Sequence, residues 1–304
     1  MEEIKAIAEL GSKVVGSHFF DMTQNKKNTS DFLQKVILED GEINQENMKK
    51  AALMLSMNKI QKMLKRSCKI YMEADSLICQ IGKDKRVTRP SDDWLEYFED
   101  LCCKAADETI QKMWARILVK EHLDSGSVTK AMMNVLALMD RTSAIAFEKI
   151  CSLVYMLECD GGEVHYIPLV LYNDILNHII ENSFETEEGS VIREAIEDYS
   201  KYLPKQKEIE YLSELGLLKL SAVHDESEIY SQEQMELYFR VGTKIYVTQS
   251  IYSENDYYYV PTGQAFFTQA GMALYHALNR KSYKYLYEIL KSYIVCREYM
   301  WNDV

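Results

Sequence analysis

Residues 92–147 read DDWLEYFEDLCCKAADETIQKMWARILVKEHLDSGSVTKAMMNVLALMDRTSAIAF, and the fold is decided there. Asp92 or Asp93 opens a helix with Trp94, Phe98, Leu101 and Ala105 on one face, the spacing of a half-buried helix. Asp107 and Glu108 begin a second helix, where exposed backbone N–H groups favour carboxylates. Its inner face carries Ile110, Met113, Trp114, Ile117 and Leu118. Asp124-Ser125-Gly126-Ser127 reads as a turn, with Ser127 as N-cap of a third helix bearing Met132, Val135, Leu136 and Met139. Thr142 or Ser143 caps a fourth, carrying Ile145, Ile150, Val154 and Leu157. Short links make neighbouring helices antiparallel, so residues 91–160 read as a central four-helix module.

Working outward, residues 1–90 contain no proline before Pro90, which favours long helices. Ile4, Ile7, Ala8, Val14 and Val15 recur at roughly helical spacing, and residues 31–39 read as a short helix stopped near Gly41. Asn44 is placed as an N-cap, and nothing breaks the helix from there to Ile81. Leu53, Met57, Ile60, Leu64, Cys68 and Tyr71 form one apolar stripe along it. The stripe is expected to pack inside a bundle; a coiled-coil seam is the alternative. Residues 83–90 (KDKRVTRP) read as a linker.

Beyond Asp160-Gly161-Gly162 the texture changes, and residues 161–304 read as a third, α+β region. Residues 163–167, 217–223, 235–248 and 257–260 are expected as strands. Helices are expected over 169–181, 189–201, 207–215 (ending at Gly216), from Thr268 onward and over 282–298. The chain holds 21 tyrosines, many after residue 230, and the run Tyr257-Tyr258-Tyr259 is the candidate partner contact, since tyrosine is enriched at interfaces.

Charge narrows the partners. The 304 residues carry a net charge of -12. Residues 1–90 hold sixteen Lys and Arg against twelve Asp and Glu, whereas 91–160 hold seven against thirteen and the remainder twelve against twenty-two. Most of the chain repels a phosphate backbone, so nucleic acid is disfavoured as a partner. No run approaches the ~18 apolar residues of a membrane span. The acidic start, MEEIKAIAEL, is read as no secretory signal. Seven cysteines with no C-x-x-C fit a reducing cytoplasmic setting better than a disulfide framework.

Two segments carry a resemblance. Asp93-Trp94-x3-Phe98, Ala106-Asp107-Glu108-x-Ile110-Gln111-x-Met113-Trp114-Ala115-Arg116-Ile117-Leu118-x2-Glu121, Gly126-Ser127-Val128-Thr129 and Ala146-Phe147-Glu148 resemble an uncharacterised bacterial family catalogued as domain of unknown function 2806. That family carries a similar W-A-R-L-L…E…P-G-S segment, with Ser125 here in place of its proline, and a looser version occurs in proteins named abortive infection alpha. Further on, Ile209-Glu210-x-Leu212-x2-Leu215-Gly216-Leu217-Leu218 and Phe267-Thr268-x-Ala270-Gly271-x-Ala273-Leu274 look like a pattern of winged-helix-like domains and of the same family's end. The resemblance implies fold and a phage-defence or abortive-infection setting, and no catalytic site. Trp94, Phe98, Trp114, Arg116, Glu121, Gly126 and Gly271 are accordingly read as structural.

No phosphate-binding, dinucleotide, zinc-protease or nucleophile-elbow motif is present, and the six histidines are scattered, so no cofactor and no metal ligands are expected. Arg116-x5-His122 fits the loose pattern of HEPN ribonucleases, in which His122 would act as acid or base and Arg116 would stabilise phosphate charge. A winged helix would suggest DNA, but its candidate helix offers Lys205, Gln206 and Lys207 beside Glu208, Glu210 and Glu214. The sequence therefore points to a mainly α chain with helical N-terminal and central parts and a small α+β winged-helix-like unit. Its expected role is non-enzymatic protein interaction or self-association as a homo-oligomer; a ribonuclease using Arg116 and His122, or a DNA-binding regulator, is the alternative.

Overall fold

A computed structural model describes residues 38–39, 42–80, 88–159, 164–171, 173–182, 189–220, 226–230, 236–249, 251–252, 257–261, 263–278 and 281–302. The fold is mainly α, with small antiparallel sheets concentrated in the C-terminal half. The expected helical stretch 3–16 and the linker at 83–87 lie outside the described residues.

The chain divides into two compact units, Met1–Cys68 and Lys69–Val304. In the first, β1 (Leu38–Glu39) pairs antiparallel with β2 (Glu42–Ile43), where the sequence pattern predicts the end of a helix. Helix α1 (Gln45–Gln80) follows, with Asn44 Oδ1 accepting from the N–H groups of Glu46 at 3.0 Å and Asn47 at 3.1 Å. Along the first unit's part of the helix, the stripe residues Leu53, Ile60 and Leu64 are exposed rather than inside a bundle of described residues.

The second unit begins with the last turns of α1 and continues through α2 (Asp92–Cys102), α3 (Glu108–Leu123), α4 (Lys130–Leu138) and α5 (Arg141–Ser152). Local capping explains the starts. Ser91 Oγ accepts from Trp94 N–H, and Asp107 Oδ1 from Thr109 N–H at 2.8 Å. Two caps differ from expectation. Thr129 rather than Ser127 caps α4, because residues 126 and 128 have their N–H groups committed to Glu121. Asp140 rather than Thr142 or Ser143 caps α5, and Ser143 closes a reciprocal capping box with it.

Val154 and Leu157 do not extend α5 as their spacing suggests. They belong to β3 (Val154–Cys159), which pairs with β4 (Val164–Pro168) on one side and β7 (Glu236–Val241) on the other. With β8 (Lys244–Gln249) these make an antiparallel sheet in the order β4-β3-β7-β8. Between β4 and β7 run α6 (Asn173–Asn182), α7 (Gly189–Tyr202), α8 (Gln206–Glu214), β5 (Leu218–Leu220) and β6 (Glu226–Tyr230). After β8 come β9 (Ile251–Tyr252), β10 (Tyr257–Pro261), β11 (Ala265–Phe267), α9 (Gln269–Leu278) and α10 (Leu286–Asn302). β10 pairs with β6 and β9, and β11 with β5.

Two apolar cores cross the boundary expected at residue 160. One gathers Ile70, Trp94, Phe98, Trp114, Ile117, Met133, Leu136 and Phe147 with Ile209, Leu212, Leu218, Leu274 and Leu278 from the later α8–β5–β11–α9 segment. The other gathers Tyr155 and Leu157 of β3 with Ile179, Ile196, Tyr199, Phe239, Ile289 and Tyr293. Trp94 stacks on Phe98 at 5.1 Å between ring centres, and Phe98 meets Trp114 edge-on at 5.3 Å. Tyr71 closes the row, its hydroxyl donating to Glu99 at 2.7 Å.

α9 docks on β5 through a backbone approach that only glycine permits. A Cβ on Gly271 would lie 2.0 Å from the carbonyl oxygen of Leu217. Thr268 Oγ1 donates to Gly216 O at 2.5 Å and accepts from Gly271 N–H at 3.1 Å, which holds the helix start against that carbonyl. Gly216 itself takes a φ of +75° after α8, a conformation glycine adopts without strain. Gly271→Ala is therefore expected to destabilise the chain by about 3 kcal/mol, above most overpacking substitutions because the clash is with backbone. A melting curve measures it, with Ala270→Gly as the neighbouring control.

Candidate functional site

The motif residues converge on the loop between α3 and α4. Glu121 is 3% exposed, and its carboxylate accepts from Gly126 N–H at 2.7 Å and Val128 N–H at 3.0 Å. From α2, Trp94 Nε1 donates to the carbonyl of the same Val128 at 2.8 Å. Gly126 holds a φ of +86°, which lets the chain reverse inside the carboxylate's reach. Every polar atom Glu121 and Trp94 bring to the loop thus meets backbone. The arrangement orients α4 against α2, where Lys130 reaches Asp93 at 2.7 Å and Tyr97 donates to Asn134 at 2.6 Å.

Arg116 and His122 face different partners. Arg116 Nη1 lies 3.9 Å from Glu148 Oε1 on α5. Burial pulls the guanidinium below its usual range and Glu73 on α1 opposes that, yet arginine stays charged at physiological pH. His122 Nδ1 sits 2.7 Å from the carbonyl of Thr88, to which it donates. Thr88 returns two bonds to His122 O, from its N–H at 2.7 Å and from Oγ1 at 3.0 Å. Residues six apart on a helix point about 120° from one another, which is why the two side chains meet different neighbours.

The tyrosines divide by location. Tyr257, Tyr258 and Tyr259 lie on β10, opposite Tyr230, Ile229 and Glu228 of β6, and their side chains lie outside the described residues. Others close the second core. Tyr199 donates to Leu169 O at 2.8 Å and accepts from Leu171 N–H at 3.0 Å, and burial pushes its pKa up. Tyr202 stacks on Tyr283 at 4.6 Å, and Tyr283 donates to Asp198. The Tyr283 bond holds the Asp198 carboxyl below its ordinary range.

The β4-β3-β7-β8 sheet offers a surface that the sequence reading does not single out. Leu237, Phe239 and Val241 of β7 face the second core. The opposite face carries two rows set by the strand register: Val164, Glu158, Tyr238 and Val247, then Tyr166, Met156, Arg240 and Ile245. Arg240 and Glu158 form an ion pair at 3.2 Å in its midst. At the β4 end, α9 covers the face, with Tyr275 and His276 at 5.7 and 4.9 Å from Tyr166. At the β8 end, Ile245 and Val247 remain 41% and 48% exposed. Part of the signal was in the sequence: Leu237, Phe239 and Val241 alternate with Glu236, Tyr238 and Arg240 in β7, whereas in β8 the aliphatics Ile245 and Val247 take the parity that the register places on the outer face.

Among the described residues no helix is long and apolar enough to cross a membrane, and no three His, Cys, Asp or Glu side chains group as a metal set. The geometry defines a mainly α protein with an internally tied helix–loop–helix motif and a half-open antiparallel sheet. The model of a family described as a protein of unknown function (DUF2806) matches residues 70–291, and the chain belongs to that family. No curated protein and no solved structure matches it.

Glu121→Ala is expected to destabilise by about 2–4 kcal/mol, because two N–H groups lose a charged acceptor and stay buried. Chemical denaturation measures it, and His122→Ala should shift the midpoint far less. A pH effect follows from His276, whose pKa is held below 6.5 by burial first and Lys120 second. The unfolded chain takes up a proton that the folded chain resists, so stability falls as pH drops through about 6.5. His276→Asn should flatten melting temperature against pH between about 7.5 and 5.5.

Proposed function

We propose that this chain is a non-enzymatic protein-interaction or regulatory protein, acting in the cytoplasm in phage defence or abortive infection. The setting rests on the family resemblance. The interaction rests on one observation: the outer face of the sheet carries apolar side chains around the Arg240–Glu158 pair and stays open at Ile245 and Val247. Isolated exposed aliphatics are ordinary, but here the strand register makes them continue a sheet face with Tyr238 and Met156. A protein partner would cover that face with an apolar centre and meet Arg240 and Glu158 with polar groups of its own. The α8–β5–β11–α9 segment serves, in this reading, as a winged-helix-like scaffold for protein contact rather than a DNA reader, because α8 carries Glu208, Glu210 and Glu214.

The test uses bacterial cells that express the full chain with a photo-crosslinking residue at position 247. A discrete protein adduct is expected, and Ile245→Asp should abolish it together with protection against phage while the melting temperature holds. An RNA adduct, or loss of protection in a folded His122→Ala variant, contradicts the proposal and favours a ribonuclease using Arg116 and His122.

A further inference from the structure

Helix α1 presents a second surface, independent of the sheet. It runs for 36 residues, or about 54 Å. Leu53, Met57, Ile60 and Leu64 recur at spacings of four, three and four, the a/d pattern of a helix that packs along another. Leu53, Ile60 and Leu64 are 53%, 54% and 44% exposed, although all three lie on one side. The family match begins at residue 70, so the stripe precedes the family's part of the chain.

Charge selects the occupant. At about 100° per residue, Lys59, Lys62, Lys65, Arg66 and Lys69 all lie more than about 110° from the axis of the stripe. Within residues 53–64 the shoulders beside the stripe carry Met54, Ser56, Gln61 and Met63, none of them charged; Lys49 and Lys50, about 50° to either side of the axis, stand one turn before it, and Lys50 is paired with Glu46. An anionic membrane favours a helix whose cations flank the apolar face, where they reach the headgroups. An acidic partner helix favours charged shoulders that set its register. Neither feature is present along residues 53–64. A second copy of α1, by contrast, brings uncharged shoulder to uncharged shoulder and leaves the exposed Lys59, Lys62 and Lys65 of both copies on the outside in water. Separated by more than the ~8–10 Å screening length of physiological salt, those cations oppose pairing only weakly.

We infer that the chain self-associates through α1, two copies pairing along Leu53, Met57, Ile60 and Leu64. The seam covers only about three helical turns, so the dimer forms by mass action and dissociates on dilution. The helix is already formed, with Asn44 capping its start and Glu46 paired with Lys50 at 2.9 Å, so pairing requires little new order.

Sedimentation of the full chain over a concentration series tests this. A mass rising from 35.4 kDa toward twice that value is expected. Leu53→Asp with Ile60→Asp should raise the dissociation constant by at least about 100-fold, since each places a charge in the seam. Lys62→Asp, on the far side, should leave it within about threefold. Hydrogen exchange supplies a readout that needs no variant: amides within 53–64 should gain protection as concentration rises. A monomer at every concentration overturns the inference, as does a dimer that survives the seam variant with unchanged exchange over 53–64. Binding of the monomer to phosphatidylserine-containing vesicles, lost in the seam variant, would overturn it in favour of a membrane surface.

Discussion

The buried carboxylate of Glu121 sets the geometry on which the helical part depends. Its two oxygens take the N–H groups of Gly126 and Val128, and Trp94 takes the carbonyl of the same Val128. Three elements, α2, α3 and the loop before α4, are thereby fixed to one residue pair. A charged group this deeply buried is tolerated only with partners, and here backbone dipoles supply them. Phe98 and Trp114 can then close an aromatic row whose rings meet at fixed angles.

That constraint reaches into the C-terminal half through α9. Gly271 lets α9 approach Leu217, and Phe267 and Tyr275 carry the contact back to Phe147 and Tyr166. The two cores are consequently interleaved in sequence: β3 leaves the first for the second, and α8, β5, β11 and α9 return to the first. Of the residues that carry the family resemblance, Trp94, Phe98, Trp114, Glu121, Gly126 and Gly271 are engaged in this framework. Among the described residues, the β8 end of the sheet and the first part of α1 leave apolar side chains exposed side by side.

Features governed by neighbouring residues were legible. Asn44 and Asp107 cap where local chemistry places them, because an N-cap needs only the next three residues. The strands at 235–248 were legible from their Val, Tyr and Phe content. β3 was not: Val154 and Leu157 fit a helical period, and their strand identity comes from β4 and from β7 some eighty residues later. The cap at Thr129 was displaced for a similar reason, since Glu121 claims the amides on either side of Ser127. Arg116 and His122 were legible as a spacing, while their separate partners, Glu148 and Thr88, belong to other elements. Ile245 and Val247 become a site only when the register shows which face each strand residue shares.

Trp94, Glu121 and Gly126 together form a structural tie. Amide hydrogen exchange at Gly126 and Val128 in the intact chain tests it most directly. Both amides lie in a loop, where exposed groups exchange quickly. If Glu121 holds them as described, they exchange as slowly as the amides of α3, opening only with the whole helical core. Exchange at the rate of an ordinary loop would contradict the account.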